Sequence, residues 1–223
     1  MGLDMRPMGK PQPGFEKRFV DIFEMLKEDK VPQPSFLDKL KGKKYPTKED
    51  LLQEWFANQI QTYETIKAPR VGRDKEADEW IKDKYNQLQQ KPPLEQFLKE
   101  NEGYYVIELA KEQDGVPVYR AMGQDENVFR GQFLQDCIDL IGEDLVNEAW
   151  ETKLADDTLD YGNRLMTVAD KIAQERDLAY LKNQKHPPET DEDTIESKLH
   201  IVYSLAKWLI FYGKNGHGYE ADF

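Results

Sequence analysis

Three aspartates stand within five positions in the stretch KLADDTLDYGNRL: Asp156, Asp157 and Asp160. At 3.6 residues per turn, positions 156 and 160 lie one above the other with 157 beside them, so one helical turn carries all three carboxylates. Hard oxygen ligands in that number suit Mg2+ or Mn2+, and a cation held there would grip a phosphorylated small molecule. A second acidic group, ETDEDTIE, supplies Asp191, Asp193 and Glu196. Glu196 and His200 are four residues apart, a spacing that lets a carboxylate and an imidazole share a metal ion, with His186 or Asp193 completing the shell. His217 gives a further combination with Asp156 and Asp160. Neither HExxH nor any other two-histidine ligand spacing is present.

The D-D-x-x-D spacing at 156–160 resembles the aspartate-rich motif of the α-helical prenyltransferases and terpene synthases. The resemblance implies helices that hold magnesium, which in turn binds the substrate diphosphate. It covers five residues of 223. Such enzymes need a second acidic helix facing the first across a cavity, and the elements that position the two clusters here argue against that arrangement. Periodicity predicts a helix over about 156–182 and a last helix over about 194–212, joined by the short loop NQKHPPETDE. Consecutive helices on a short loop run antiparallel, and the first is about 40 Å long at 1.5 Å per residue. Two acidic starts then lie at opposite ends of the pair. Acidic residues in a first helical turn are also what the helix dipole favours, by about 0.3–1 kcal/mol each. The expectation is that Asp156, Asp157 and Asp160 start a helix.

No other catalytic pattern emerges. There is no GxSxG elbow, P-loop or strand-to-helix GxGxxG. The single cysteine, Cys137, lies in FLQDCIDLIG four residues from both Phe133 and Ile141, so it reads as a buried thiol on an apolar helical face. One cysteine also excludes an internal disulfide and fits a reducing compartment. The N-terminal stretch lacks the continuous apolar core of a signal peptide, and the longest apolar tract, IVYSLAKWLIFYG, is too short to span a bilayer. The expected location is the cytoplasm.

The remaining pattern is mainly α, with seven or eight packed helices and one β-hairpin docked on them. Helical stripes fall at about 15–28 and 48–67 (opened by Thr47 and Asp50 as a capping box), then from Ala77 to Leu88 behind Asp74 as a cap, with another after Pro92-Pro93. The period then changes to two in YYVIELA and VPVYRAM, predicting the hairpin over about 104–122 around Asp114-Gly115. A helical stripe from Phe129 to Ile141 follows. The chain reads as a single domain, 1–223, with a candidate seam near 91, an extended arm over 1–14 and a flexible tail over 213–223.

Charge separates the function classes. The formal net charge is −12. Residues 1–91 carry 18 Lys and Arg against 16 Asp and Glu, whereas residues 92–223 carry 13 against 27. An acidic body repels nucleic acid and anionic membrane, leaving only a local basic patch, Lys39, Lys41, Lys43 and Lys44 with Arg70, Arg73 and Lys75, to meet phosphates. Apolar residues at the termini, Leu3, Met5 and Met8 at one end with Tyr219 and Phe223 at the other, either dock on their own body or reach a partner. The sequence therefore predicts an interaction or regulatory protein that works by contact, acidic enough to mask a basic protein partner. The alternative is an α-helical hydrolase or transferase using Mg2+ or Mn2+ on phosphorylated small molecules.

Overall fold

The computed structural model describes residues 2–31, 45–65, 75–100, 119–120, 127–184, 187–191 and 193–223. They are mainly helical. The chain divides into two compact units, Gly9–Gln61 and a larger one made of Met1–Met8 with Thr62–Phe223. The division falls where the sequence shows no linker, and not near residue 91.

In the smaller unit, strand β2 (Lys10–Pro11) pairs antiparallel with β3 (Gln59–Ile60), so the two ends of the unit lie side by side. Helix α1 (Glu16–Lys27) buries Phe19, Ile22 and Phe23 at the predicted spacing. Helix α2 (Lys48–Ala57) opens with the predicted capping box: the Thr47 hydroxyl accepts from the Asp50 N–H, and the Asp50 carboxylate accepts from the Thr47 N–H at 2.8 Å. Trp55 stacks on Phe19 with ring centroids 4.6 Å apart, and Arg18 forks onto Glu54 at 2.8 and 2.6 Å. Helix α2 stops at Ala57, ten residues before its predicted end, because Gln59 and Ile60 enter the ladder with β2.

The larger unit begins again with α3 (Thr62–Thr65), α4 (Lys75–Asn86) and α5 (Leu94–Glu100), the last starting behind Pro92-Pro93 as predicted. Its axis is a pair of long helices, α8 (Ala155–Glu175) and α9 (Ile195–Lys214). Gly162 meets Leu209 and Ile210, Gly213 meets Leu159, and the Tyr203 hydroxyl donates to Asp170 at 3.0 Å. As one helix advances its partners recede along the other, so the pair is antiparallel, as the short connection requires. A Cβ at Gly213 would stand 2.8 Å from the Leu159 backbone nitrogen, so only glycine permits this approach. Helix α9 is buried on most sides, with Leu199, Val202, Leu205, Ala206, Trp208 and Leu209 all at 0% exposure. Helix α8 ends seven residues before its predicted end. Asp177 takes a left-handed backbone (φ 57°), and Leu178 N–H reaches back to Ala173 O at 2.8 Å, the closure of a Schellman turn. The sequence offers no glycine there to announce the stop.

One face of the pair is covered by a small antiparallel sheet in the order β4–β5–β1–β6. The strands are β1 (Asp4–Pro7), β4 (Tyr119–Arg120), β5 (Asn127–Arg130) and β6 (Tyr219–Asp222). The segment expected as an extended arm thus supplies an inner strand, and the segment expected as a flexible tail supplies its neighbour. The cause is visible afterwards: in Leu3-Asp4-Met5-Arg6 the apolar residues alternate with charged ones, and Leu3 and Met5 are fully buried. The backbone of Lys153 closes the outer edge of β6 through two hydrogen bonds to Tyr219, at 3.0 and 2.9 Å. The predicted hairpin over 104–122 lies outside the described residues except for β4. The stripe predicted as helix from Phe129 starts instead as strand β5, continues as a 3-10 helix (Gly131–Cys137) and ends in α6 (Ile138–Ile141), followed by α7 (Glu143–Glu148). Among the described residues no helix is long and apolar enough to cross a membrane.

Candidate functional site

Helix α8 places Asp156, Asp157 and Asp160 in its first turns, all three exposed. Asp160 is bonded to Arg164 at 2.7 Å, one turn on. The second acidic group sits at the start of α9, where the Thr194 hydroxyl caps the helix by accepting from Ser197 N–H. Since α8 and α9 are antiparallel, the first cluster lies beside Gly213 and the second at the other end of the pair. His200, only 6% exposed, has its Nε2 3.2 Å from the Gln184 carbonyl. His186 and the basic residues Lys39, Lys41, Lys43, Lys44, Arg70 and Arg73 lie outside the described residues.

His217 is fully buried while the aspartates face solvent. Its Nδ1 donates to the Met8 carbonyl at 2.7 Å, and its Nε2 is 2.5 Å from the Thr65 hydroxyl. Among the described residues no group of three or more His, Cys, Asp and Glu side chains is arranged to hold a metal ion. Cys137 is buried, with its thiol pointing at the Lys198 and Phe133 carbonyls at 3.5 and 3.7 Å. Burial above all, with Asp136 adding, pushes that thiol up to about 12, so it is not a nucleophile at neutral pH.

What the 3-10 helix, α6, α7 and the start of α8 carry is charge of one sign. From Gly131 to Asp160 the chain carries nine Asp or Glu against one Lys. That lysine, Lys153, is itself buried, with Nζ at 3.0 Å from Glu148, 3.5 Å from Glu151 and over the Tyr161 ring. Arg164 grips both oxygens of Glu148. Burial would raise the Glu148 carboxyl, but the hydrogen bonds from Arg164 and Lys153 outweigh it and hold it below the usual carboxylate range. Asp139 is matched by Lys198 at 3.1 Å. Asp136, Glu143, Asp144, Asp156 and Asp157 remain exposed with no ion-pair partner among the described residues. They do not share one place: Asp136 adjoins Cys137, whose thiol reaches the Lys198 carbonyl near the start of α9, whereas Asp156 and Asp157 lie at the start of α8, towards Gly213.

Of the five residues proposed from sequence as partner contacts, Leu3, Met5, Met8 and Tyr219 are in the interior. Tyr219 packs on Trp208, and its hydroxyl reaches the carbonyls of Glu148 and Ala149. Only Phe223 faces solvent, at 65% exposure, edge-on to Trp150 at 5.3 Å. The Trp150–Phe223 pair was not legible as such, because 73 positions separate residues that the sheet brings together. No protein-family model, no curated protein and no solved structure matches this chain.

Proposed function

We propose that this chain is an acidic interaction or regulatory protein of the cytoplasm, which acts by contact with a basic protein partner. The observation that carries the reading is the set of five exposed carboxylates, Asp136, Glu143, Asp144, Asp156 and Asp157, which have no ion-pair partner among the described residues. Charges that a protein does not neutralise internally project a field that accelerates encounter with an oppositely charged surface by about 10–1,000-fold. The separation of the two acidic helix starts supports contact over metal chemistry, since the clusters cannot converge on one ion.

The test is kinetic. A basic protein captured from native lysate is purified and its association rate measured at low and high salt. The rate constant should fall at least about tenfold between 50 and 300 mM salt, and fall similarly at low salt when the five carboxylates are changed to amides. A rate constant indifferent to both changes overturns the reading.

A further inference from the structure

The larger unit is built from two pieces of chain, and the smaller unit is inserted between Met8 and Thr62. The chain therefore leaves the larger unit once and returns to it once, and both crossings are short. On the way out, Gly9 alone separates Met8 from Lys10, which is already paired with Ile60 in the β2–β3 ladder. On the way back, Gln61 alone separates Ile60 from the start of α3 at Thr62.

One side chain holds the larger unit's end of both crossings. The C-terminal segment grips Met8 by both of its backbone polar groups. The Met8 N–H donates to the Gly218 carbonyl at 2.9 Å, and the Met8 carbonyl accepts from His217 Nδ1 at 2.7 Å. The other ring nitrogen, Nε2, lies 2.5 Å from the hydroxyl of Thr65, the last residue of α3, and that hydroxyl also reaches the Thr62 carbonyl at 2.8 Å. The imidazole is anchored in turn to the end of α9: the His217 N–H donates to the Tyr212 carbonyl at 3.0 Å, and its ring stands edge-on to the Tyr212 ring at 6.4 Å. His217 is fully buried, so water does not readily replace either bond. Residues 209 and 152 positions earlier in the chain thus meet on one ring.

We propose that His217 is a strap that couples the two crossings, so that the chain's departure from the larger unit and its return are held together and released together. The C-terminal strand works the strap. Tyr219, two residues on, pairs with Pro7 and with the backbone of Lys153, and these bonds keep the imidazole between Met8 and Thr65. Displacing β6 withdraws the ring from both partners, and both ends of the inserted unit are freed in one step. This inference stands apart from the acidic reading and uses none of its carboxylates.

The experiment follows exchange of the Met8 amide hydrogen by NMR in the full chain. Thr65→Val keeps the shape of the side chain and removes its hydroxyl. It should speed exchange at Met8 about fivefold or more, although the change is made at the other crossing. His217→Ala should speed it by at least as much, and adding Thr65→Val to His217→Ala should change it no further, the signature of two residues acting through one ring. The buried helical residues Leu51 in α2 and Leu205 in α9 should keep wild-type exchange in Thr65→Val. If Met8 exchanges at the wild-type rate in Thr65→Val, the crossings are independent and the strap is wrong. Equal acceleration at Met8, Leu51 and Leu205 would also overturn it, because the substitution would then have weakened the whole fold. Thr65→Val alone decides the matter should His217→Ala fail to fold.

Discussion

At the scale of single residues, two side chains make opposite statements about charge in the interior. Cys137 is kept neutral: its thiol, raised to about 12, is buried and points at two carbonyl oxygens. A disulfide reagent such as Ellman's should therefore not label it in the folded protein at pH 8 and should label it fully in 6 M guanidinium; rapid native labelling would contradict the packing. Glu148 is kept charged by Arg164 and Lys153, and replacing it leaves the buried Lys153 with the more distant Glu151 alone. Glu148→Gln should lower stability by about 2 kcal/mol at pH 7 in denaturant unfolding. Because the folded carboxyl titrates below its ordinary value, this stabilisation is complete above the unfolded range near pH ~4.3. It disappears as pH falls through the lowered folded value, so the difference between wild type and variant should close in acid and not in base. The exposed Asp156, Asp157 and Asp160 belong to neither class. Adding 5 mM Mg2+ or Mn2+ should leave Tm unchanged, and a rise abolished by Asp157→Asn would favour the enzyme alternative.

At the scale of elements, legibility in the sequence followed the locality of the forces. Helices α1, α5 and α9 and the start of α2 were readable, because caps, prolines and apolar spacing act within a few residues. Thr47→Ala should remove the α2 cap at a cost of about 1 kcal/mol, read as a lower midpoint in urea. What could not be read depends on distant chain. The end of α8 is fixed by a left-handed Asp177 with no glycine to mark it. Phe129 has the spacing of a helical residue, yet it lies in β5 because Met5, 124 positions earlier, pairs with it. The α8–α9 contact has the same character. Gly213→Ala should press a methyl group into the Leu159 backbone, outweigh any gain in helix propensity and cost about 1–3 kcal/mol. The candidate site was half legible: the sequence singled out Asp156, Asp157 and Phe223, but pairing Phe223 with Trp150 needed the sheet.

At the scale of the whole molecule, the smaller unit enters and leaves through one antiparallel ladder, with Lys10 opposite Ile60 and Pro11 opposite Gln59. Among the described residues, the main apolar cluster draws only on chain outside 9–61. Replacing residues 12–58 with Asn-Gly, the sequence of a two-residue hairpin turn, should therefore leave α8 and α9 folded. Amide hydrogen exchange would show it: slow exchange retained in α9 is the expected outcome, and loss of that protection would mean the larger unit depends on the smaller.

The sheet register carries one more consequence, for how the fold forms. Asp4 pairs with Asp222 and Pro7 with Tyr219, so the β1–β6 ladder joins residues that are far apart along the chain. Such a pairing closes a long loop and arrives late in folding. Until then Leu3 and Met5 have no β6 beside them, and their amphipathic strand is open to pairing with other chains.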